Sequence, residues 1–328
     1  MSYSIISIGE PVIDFVEICG YDRFKKAYVS NAGGGAANVL AAAAAMGGKP
    51  AMIGRVGDDI FGEYLISSLR RAGIDTAGIK RDASKPTGIG FVYHRDNGER
   101  DFLFYRDRTT NVTLYDHEAE KSIVEDCRIY HYTSVSLTSP SLRADTLAAR
   151  DYARSLGKTV SFDANYRPGL WEDAREAHKI IMDCIRHADV VKLSEEEFEA
   201  FFSAESMEGC AGKLLAGNAK FVAISLGGRG CFYATRKVTG EHTAPRVNAI
   251  DTTGCGDALM GALLQLFCDE SIVDRFDCVE SNVLGKVVSL AVCAASICAE
   301  RLGSMECIAN REEALESLRL RDSQSRER

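Results

Sequence analysis

The stretch with the clearest chemical meaning is DTTGCGD at residues 251–257, which precedes an apolar run to Phe267. Its two closely spaced glycines allow a tight turn, and the apolar run predicts a helix that is buried on all sides. The unpaired amides at the start of such a helix, together with its dipole, form a site for phosphate. Asp257 in the first turn can be a helix cap. Beside amides that hold a phosphoryl group, its carboxylate can instead accept the proton of an attacking hydroxyl, so the pattern indicates phosphoryl transfer.

Asp14 and Asn38 are two further polar residues that lie near predicted turns. Asp14 follows the short β-like run Ile5–Ile8, where an aspartate can simply be a turn residue. Asn38 is the one polar residue in the first turns of an alanine-rich helix that begins after the glycines at 33–35. A buried asparagine there can satisfy a backbone group or bind a ligand hydroxyl, and both possibilities stay open. Because position 38 is not glycine, a dinucleotide-binding fingerprint is not supported.

Three further segments follow predicted strands in the second half of the chain. Residues 163–171 (DANYRPGLW) come after the carboxyl end of a strand, where open α/β sheets bind ligands, although a polar turn would account for them equally. Residues 194–197 (SEEE) have the spacing of a helix capping box. Residues 225–231 (SLGGRGC) form a glycine turn that a hairpin alone would explain. No Walker A loop occurs in the sequence.

The elements that must position these groups alternate between strands and helices. Strands are predicted near 129–133, 159–163, 190–193 and 221–225, and helices at 140–156, 174–187 and 195–202. This alternation predicts an α/β fold with a mostly parallel central sheet that is covered by helices on both faces.

A different pattern occupies about 15–30 and 87–110, where alternating apolar residues surround the hairpin signal Asn97-Gly98. These ranges predict a small β-sheet lid that closes over a site and excludes water. Residues 1–318 are expected to form one domain, and the charged residues 319–328 a frayed tail.

Composition restricts the partners and the compartment. The 328 residues carry a net charge of −8, which disfavours nonspecific nucleic-acid binding. The 11 cysteines include no C-x-x-C pair, which indicates reduced thiols in a cytoplasmic protein rather than a disulfide framework or a metal site. The first residues lack the pattern of a signal peptide, and apolar runs such as Val39–Met46 are too short to span a bilayer. We therefore expect no membrane partner.

The motifs together resemble the ribokinase-like (PfkB) carbohydrate kinases. DTTGCGD is similar to the D-T-x-G-A-G-D signature of that family, with Cys255 in place of the usual alanine, and residues 33–38 look like its G-G-x-x-x-N pattern. Residues 98–106 (GERDFLFYR) and 163–171 are similar to fructokinase segments. The resemblance covers nearly the whole chain. It implies a three-layer α/β/α sandwich with a β lid, ATP and Mg²⁺ as cofactors, and it leaves open a monovalent cation such as K⁺.

The resemblance also implies a role for each candidate residue. Asp257 would be the general base, and the backbone amides of Gly254, Cys255, Gly256 and Asp257 would hold the transferred phosphate. Sugar binding would fall to Asp14, Gly33, Gly34, Asn38, Arg106, Asn165 and Arg167, and the glycines among them would act as a hinge. Nucleotide contacts would come from Ser225, Gly227 and Gly228. Glu197 would arrange Mg²⁺ through water and not as a direct ligand, although Ser194 replaces the asparagine usual in that motif.

Fructose is the leading substrate of this expected sugar kinase. A 2-keto-3-deoxygluconate kinase is the alternative, because Arg106 and Arg167 could pair with a carboxylate, but Phe104 stands where such kinases tend to have tyrosine. A non-catalytic sugar or nucleotide sensor is a further alternative. The exposed lid edge is compatible with a homodimer.

Overall fold

The computed structural model describes residues 2–18, 25–94, 100–105, 117–203 and 205–326. The predicted turn at Asn97-Gly98 and the predicted sugar ligand Arg106 lie outside these residues. The strands are β1 (Tyr3–Ile8), β2 (Val12–Ile18), β3 (Ala27–Gly33), β4 (Ala51–Gly57), β5 (Asp75–Asp82), β6 (Ile89–His94), β7 (Arg100–Tyr105), β8 (Cys127–Thr133), β9 (Thr159–Asp163), β10 (Val190–Ser194), β11 (Phe221–Ser225), β12 (Cys231–Ala234) and β13 (Thr239–His242). The helices are α1 (Gly35–Ala45), α2 (Ile60–Arg71), α3 (His117–Glu125), α4 (Pro140–Ser155), α5 (Ala174–His187), α6 (Glu195–Phe202), α7 (Met207–Ala216), α8 (Cys255–Asp269), α9 (Ser281–Cys298) and α10 (Arg311–Arg326).

The central sheet has nine strands in the order β13-β12-β11-β10-β9-β8-β1-β4-β5. Every pair from β11 to β5 is parallel, and the two strands at the other edge are antiparallel. Parallel neighbours need crossover connections, and these are supplied by the helices that alternate with the strands. The predicted mostly parallel sheet is therefore confirmed.

The sheet separates two hydrophobic cores, because successive strand residues point to opposite faces. Val190 and Phe221 pack with α1, α2, α8, α9 and α10 on one face. Their neighbours Val191 and Val222 pack with α3 to α7 on the other face. This arrangement is the three-layer α/β/α sandwich that the resemblance implies.

A second, four-stranded sheet has the order β3-β2-β6-β7 and matches the predicted lid. Strands β6 and β7 pair antiparallel, as the hairpin signal predicts. One face carries an aromatic cluster in which Phe91 contacts Phe15, Tyr28 and Tyr105. That the sheet closes over a site stays a prediction.

Helices α1 and α8 cross at unusually short range because small residues face each other. An ideal Cβ added to Gly261 would overlap the carbonyl oxygen of Val39 and lie 2.6 Å from Cβ of Ala42. The alanine-rich sequence of α1 removes bulk on the other side of this contact. This approach matters for the site, because Asn38 lies on α1 and Asp257 on α8.

Two observations differ from the sequence-based expectations. Helix α10 continues to Arg326, so a helix takes the place of the expected frayed tail over 319–326. Among the described residues, α9 alone is long and apolar enough to cross a membrane, although no run of that kind was expected. Of its residues, 61% are buried, and it packs against α8 and α10, which makes it a core helix.

The substitution Gly261→Ala tests the close crossing of α1 and α8. The added methyl group must displace the backbone of α1, and overpacking of this kind costs about 1–3 kcal/mol. Urea unfolding is expected to show that loss. The control is Gly212→Ala in α7, where the new Cβ meets nothing within 4 Å. It should stabilise the protein by roughly 0.5–1 kcal/mol through helix propensity, and a Gly261→Ala variant as stable as this control would contradict the analysis.

Candidate active site

A cavity of about 730 Å³ lies beyond the carboxyl ends of β9, β10 and β11 and the start of α8. Open parallel sheets bind their ligands at this edge. The structure brings together nearly all of the described residues that the sequence singles out: Asp14, Gly34, Asn38, Asn165, Arg167, Glu197, Ser225, Gly227, Gly228, Gly254, Cys255, Gly256 and Asp257. Segments separated by more than two hundred residues in sequence thus face one space.

The start of α8 has the geometry of an anion site. Gly254 precedes the helix with φ of +79°, a left-handed conformation that glycine adopts without strain. In the described part of the chain, no backbone hydrogen bond outside the helix engages the amides of Gly256 and Asp257. Gly256 also leaves room for a cation, because an ideal Cβ there would lie 3.0 Å from Nζ of Lys192. Gly254 therefore permits the turn, and Gly256 permits the close approach of Lys192.

The carboxylate of Asp257 is held between two side-chain amides. Asn38 Nδ2 donates to Oδ2 at 2.9 Å, and Asn165 Nδ2 donates to Oδ1 at 3.2 Å. Burial raises the pKa of Asp257, while the Asn38 hydrogen bond and the charges of Lys192 and Arg167 oppose that rise. The result is an oriented carboxylate with an elevated pKa, which is the character of a general base.

Asn165 adopts an unusual backbone conformation at this position. Its φ is +37°, in the left-handed region that non-glycine residues rarely adopt but asparagine tolerates. The Asp163 side chain accepts the Asn165 amide at 3.1 Å and stabilises the turn. Strained residues of this kind occur at functional sites.

A buried ion pair lies beneath the anion site and was missed by the sequence analysis. Lys192 Nζ is 3.1 Å from each carboxylate oxygen of Asp163, and Lys192 also lines the cavity. Burial tends to lower the pKa of Lys192, but the carboxylates of Asp163, Glu197 and Asp257 outweigh it and raise the pKa. The lysine therefore stays charged. The sequence signal that could have revealed it is a lysine between the apolar residues Val191 and Leu193 of strand β10.

Glu197 has the structural role that its spacing predicts. It completes a capping box with Ser194. Its Oε1 accepts the Tyr166 amide and its Oε2 accepts the Ser194 amide, both at 2.7 Å. Each oxygen keeps a further lone pair for water. Among the described residues, no group of three or more potential ligands is arranged to hold a metal ion directly. The donors fit Mg²⁺ that is carried by phosphates and water.

The opposite end of the cavity is formed where the lid meets α1. Asp14 on β2 lines the cavity, and burial raises its pKa to about 7. Gly33 lies beside it, since an ideal Cβ on Gly33 would be 2.5 Å from Oδ2 of Asp14. Gly34 has φ of +115°, and a Cβ there would overlap the carbonyl oxygen of Glu10. The two glycines allow the lid strand β3 to turn into α1 at this point.

The third region of the cavity combines the glycine turn after β11 with apolar walls. Gly227 has φ of +55° and, like Gly228, has nothing within 4 Å of an ideal Cβ. The walls are Ala244, Pro245, Val247, Ala249, Val292, Ala295 and Ala299. Val292 was not among the predicted site residues. Its signal was weak because an apolar residue on a buried helix is the ordinary case.

Comparisons with known proteins agree with this geometry. Residues 3–311 match the family described as pfkB family carbohydrate kinase. The chain is 34% identical over 318 residues to "Probable fructokinase-3" of Arabidopsis thaliana, covering 96% of this chain and 91% of the relative. It is 34% identical over 314 residues to "Fructokinase-1" of Oryza sativa subsp. japonica, covering 95% and 96%.

Solved structures give the same result. A fructokinase from Xylella fastidiosa with bound ATP has a TM-score of 0.88 and 28% identity, covering 98% of this chain and 100% of that one. A fructokinase from Vibrio cholerae O395 with fructose, ADP and calcium ion has a TM-score of 0.80 and 26% identity, covering 97% and 100%. The chain belongs to the pfkB family of carbohydrate kinases.

Proposed function

We propose that this protein transfers the γ-phosphoryl group of MgATP to a hydroxyl of fructose. The observation that carries the proposal is Asp257, a buried carboxylate that two amides orient beside the donor-rich first turn of α8. In this mechanism Asp257 accepts the hydroxyl proton, and the amides from Gly254 to Asp257 stabilise the charge of the transferred group. The fructokinase relatives in both comparisons support fructose as the acceptor.

The charges around the phosphoryl group follow from the same geometry. Lys192 and Arg167 line the cavity and offset the charges of Asp257, Glu197 and the incoming phosphates. We place the nucleotide along Ser225, Gly227 and Gly228 because these residues line the cavity. The similar Xylella fructokinase, which binds ATP, supports ATP as the phosphoryl donor. Mg²⁺ would supply further charge neutralisation on the phosphates, with Glu197 contacting it through water. The potassium-bound form of the Vibrio enzyme supports a role for K⁺ as well.

Asp14, Gly33, Gly34, Asn38 and Asn165 form the sugar end of the site in this proposal. An ionised Asp14 can accept two sugar hydroxyls at once. Arg106 and Arg167 would complete the sugar contacts, and an acceptor with a carboxylate, 2-keto-3-deoxygluconate, is the alternative that these arginines would favour.

The same proposal includes a homodimer and a cytoplasmic location. The lid exposes apolar side chains, with Val29, Leu103 and Tyr105 each about half exposed, which supports a homodimer formed through the lid. The ten described cysteines are free, which fits the reducing cytoplasm.

The substitution Asp257→Asn tests the reaction and its base. It keeps the shape of the residue but removes the proton acceptor, so turnover should fall by about 10²–10⁴-fold while sugar binding stays nearly intact. ADP release from MgATP is measured with fructose, ribose, 2-keto-3-deoxygluconate and adenosine. Turnover with fructose alone, abolished in the variant, is the expected result.

Three other outcomes would contradict parts of this proposal. Turnover with 2-keto-3-deoxygluconate alone would show that this keto acid, and not fructose, is the phosphoryl acceptor. ATP binding without ADP release for any acceptor would favour a sensor, and full turnover of Asp257→Asn would remove Asp257 from the mechanism. A thermal-shift screen with further sugars then separates a missing acceptor from a sensor.

The pKa of Asp14 predicts a pH-dependent affinity for the sugar. Because burial raises this pKa to about 7, Asp14 is ionised above that pH and takes up a proton as the pH falls through it. The KM for fructose should therefore rise on the acid side of 7, whereas the KM for MgATP serves as the control. Asp14→Asn cannot ionise, so its KM for fructose should be high throughout and lack this rise. An unchanged profile in Asp14→Asn would contradict the assignment.

Lys192→Met tests whether the buried lysine serves the phosphoryl group or only its partner Asp163. The single substitution leaves a buried carboxylate unpaired, which costs about 3–5 kcal/mol of stability. It should also lower turnover by about 10²–10³-fold, comparable to the loss of an oxyanion-hole donor. The two effects are separated by the double variant Asp163→Asn/Lys192→Met. This variant should recover stability in urea unfolding but not turnover, and recovery of both would make the lysine purely structural.

A further inference from the structure

Three cysteine side chains, Cys255, Cys298 and Cys307, meet behind the first turn of α8, and we call them the thiol cluster. Cys298 ends α9 and Cys307 lies in the loop that follows, and both are fully buried. Their Sγ atoms are 2.7 Å apart, and Cys307 Sγ also lies 2.9 Å from the carbonyl oxygen of Ser304. A movement of less than about 1 Å would bring the two sulfurs to the length of a disulfide bond.

Cys255 connects this buried pair to the cavity. It lines the cavity, is half-buried, and packs against the buried cluster that contains Cys298 and Cys307. Interaction with the neighbouring Cys298 thiol lowers the pKa of Cys255, against the effects of burial and of the carboxylates of Asp251 and Asp257. A position at a helix N-terminus favours the thiolate in addition. An oxidant that enters from solvent therefore meets Cys255 before the other two thiols.

Other cysteines of the described chain lack this combination. Cys127, Cys210, Cys231 and Cys268 are buried and do not line the cavity, and burial raises their pKa to about 12. Cys278 is exposed, and its thiol donates a hydrogen bond to the carbonyl oxygen of Arg275, outside the thiol cluster. It is a suitable control for accessibility alone.

We propose that the thiol cluster is a site of reversible oxidation by hydrogen peroxide, with a Cys298–Cys307 disulfide as its product. The Cys255 thiolate attacks a peroxide oxygen, the O–O bond breaks, and hydroxide leaves and is protonated to water, so that Cys255 becomes a sulfenic acid. Cys298 attacks that sulfur, which releases a second water and forms a Cys255–Cys298 disulfide. Cys307 then attacks Cys298 and frees Cys255 as a thiol. In sum, Cys298 and Cys307 lose two electrons and two protons, and one peroxide becomes two waters.

The loop that carries Cys307 gives this reaction a consequence for the site. Ser304 Oγ donates to the carbonyl of Ala32 at 2.9 Å, next to the hinge glycines. The carbonyl oxygen of Ser304 lies 3.5 Å from the position of an ideal Cβ on Gly254. A disulfide that pulls the loop toward α9 therefore displaces both the hinge and the anion site. Displacement by about 1 Å can lower turnover by about 10²-fold.

Disulfide mapping of the full-length protein tests the proposal without reference to any sugar. The reduced protein is treated with a stoichiometric amount of hydrogen peroxide, free thiols are alkylated after unfolding, and non-reduced tryptic peptides are analysed by mass spectrometry. Arg301 lies between the two cysteines, so trypsin separates them, and fragmentation distinguishes Cys298 from Cys293. We expect a Cys298–Cys307 crosslink that forms more slowly when a non-hydrolysable MgATP analogue fills the cavity, and that dithiothreitol reverses.

Two variants test the order of the steps and the role of the exposed cysteine. Cys307→Ala removes the final step, so oxidation should stop at a Cys255–Cys298 disulfide. Cys278→Ala should behave like the wild type. Recovery of alkylated Cys298 and Cys307 after peroxide treatment, with oxidation confined to Cys278, would overturn the proposal. Because the wild-type map decides this by itself, poor folding of Cys307→Ala would not leave the question open.

Discussion

The hydrogen bond from Asn38 to Asp257 is the contact on which the site depends. It joins residues that are 219 positions apart, and it exists because α1 and α8 approach closely enough for their first turns to meet. Alanine and glycine supply that approach, since larger side chains would hold the helices apart. The small residues between α1 and α8 therefore also determine the orientation of the Asp257 carboxylate.

Buried charge is the second constraint, and it organises the carboxyl ends of the strands. Asp163, Lys192, Glu197 and Asp257 lie within a region where an isolated charge would be costly, so each needs a partner or a hydrogen bond. Lys192 pairs with Asp163, Glu197 accepts two backbone amides, and Asp257 accepts two side-chain amides. An apolar set of side chains could fill the same space, but it could not hold a phosphoryl group.

The sequence predicted those parts of the structure that have a local physical signature. Strands β9 and β11 and helices α5 and α6 occur where periodicity and caps place them, and the glycine turn before α8 begins where its residues indicate. The partners of Asp257 and the Lys192–Asp163 pair were not predictable, because tertiary packing alone brings these residues together. The apolar wall at Val292 was missed for a different reason, since nothing in its own pattern separates a cavity wall from a core. Motifs therefore indicated which residues belong to the candidate site, whereas the fold determined which partners surround them.

The helix start that favours a transferred phosphate also favours a thiolate, because both are anions at the same positive end of α8. Position 255 therefore carries a conflict that alanine, usual there in the resembled family, would avoid. While a phosphate occupies the amides, it competes with the thiolate for the same donors and covers the cavity face of Cys255. On the two proposals above, a phosphate held at this turn keeps an oxidant from Cys255, whereas an empty cavity leaves Cys255 open to it. The proposed thiol chemistry is therefore coupled to occupancy of the site.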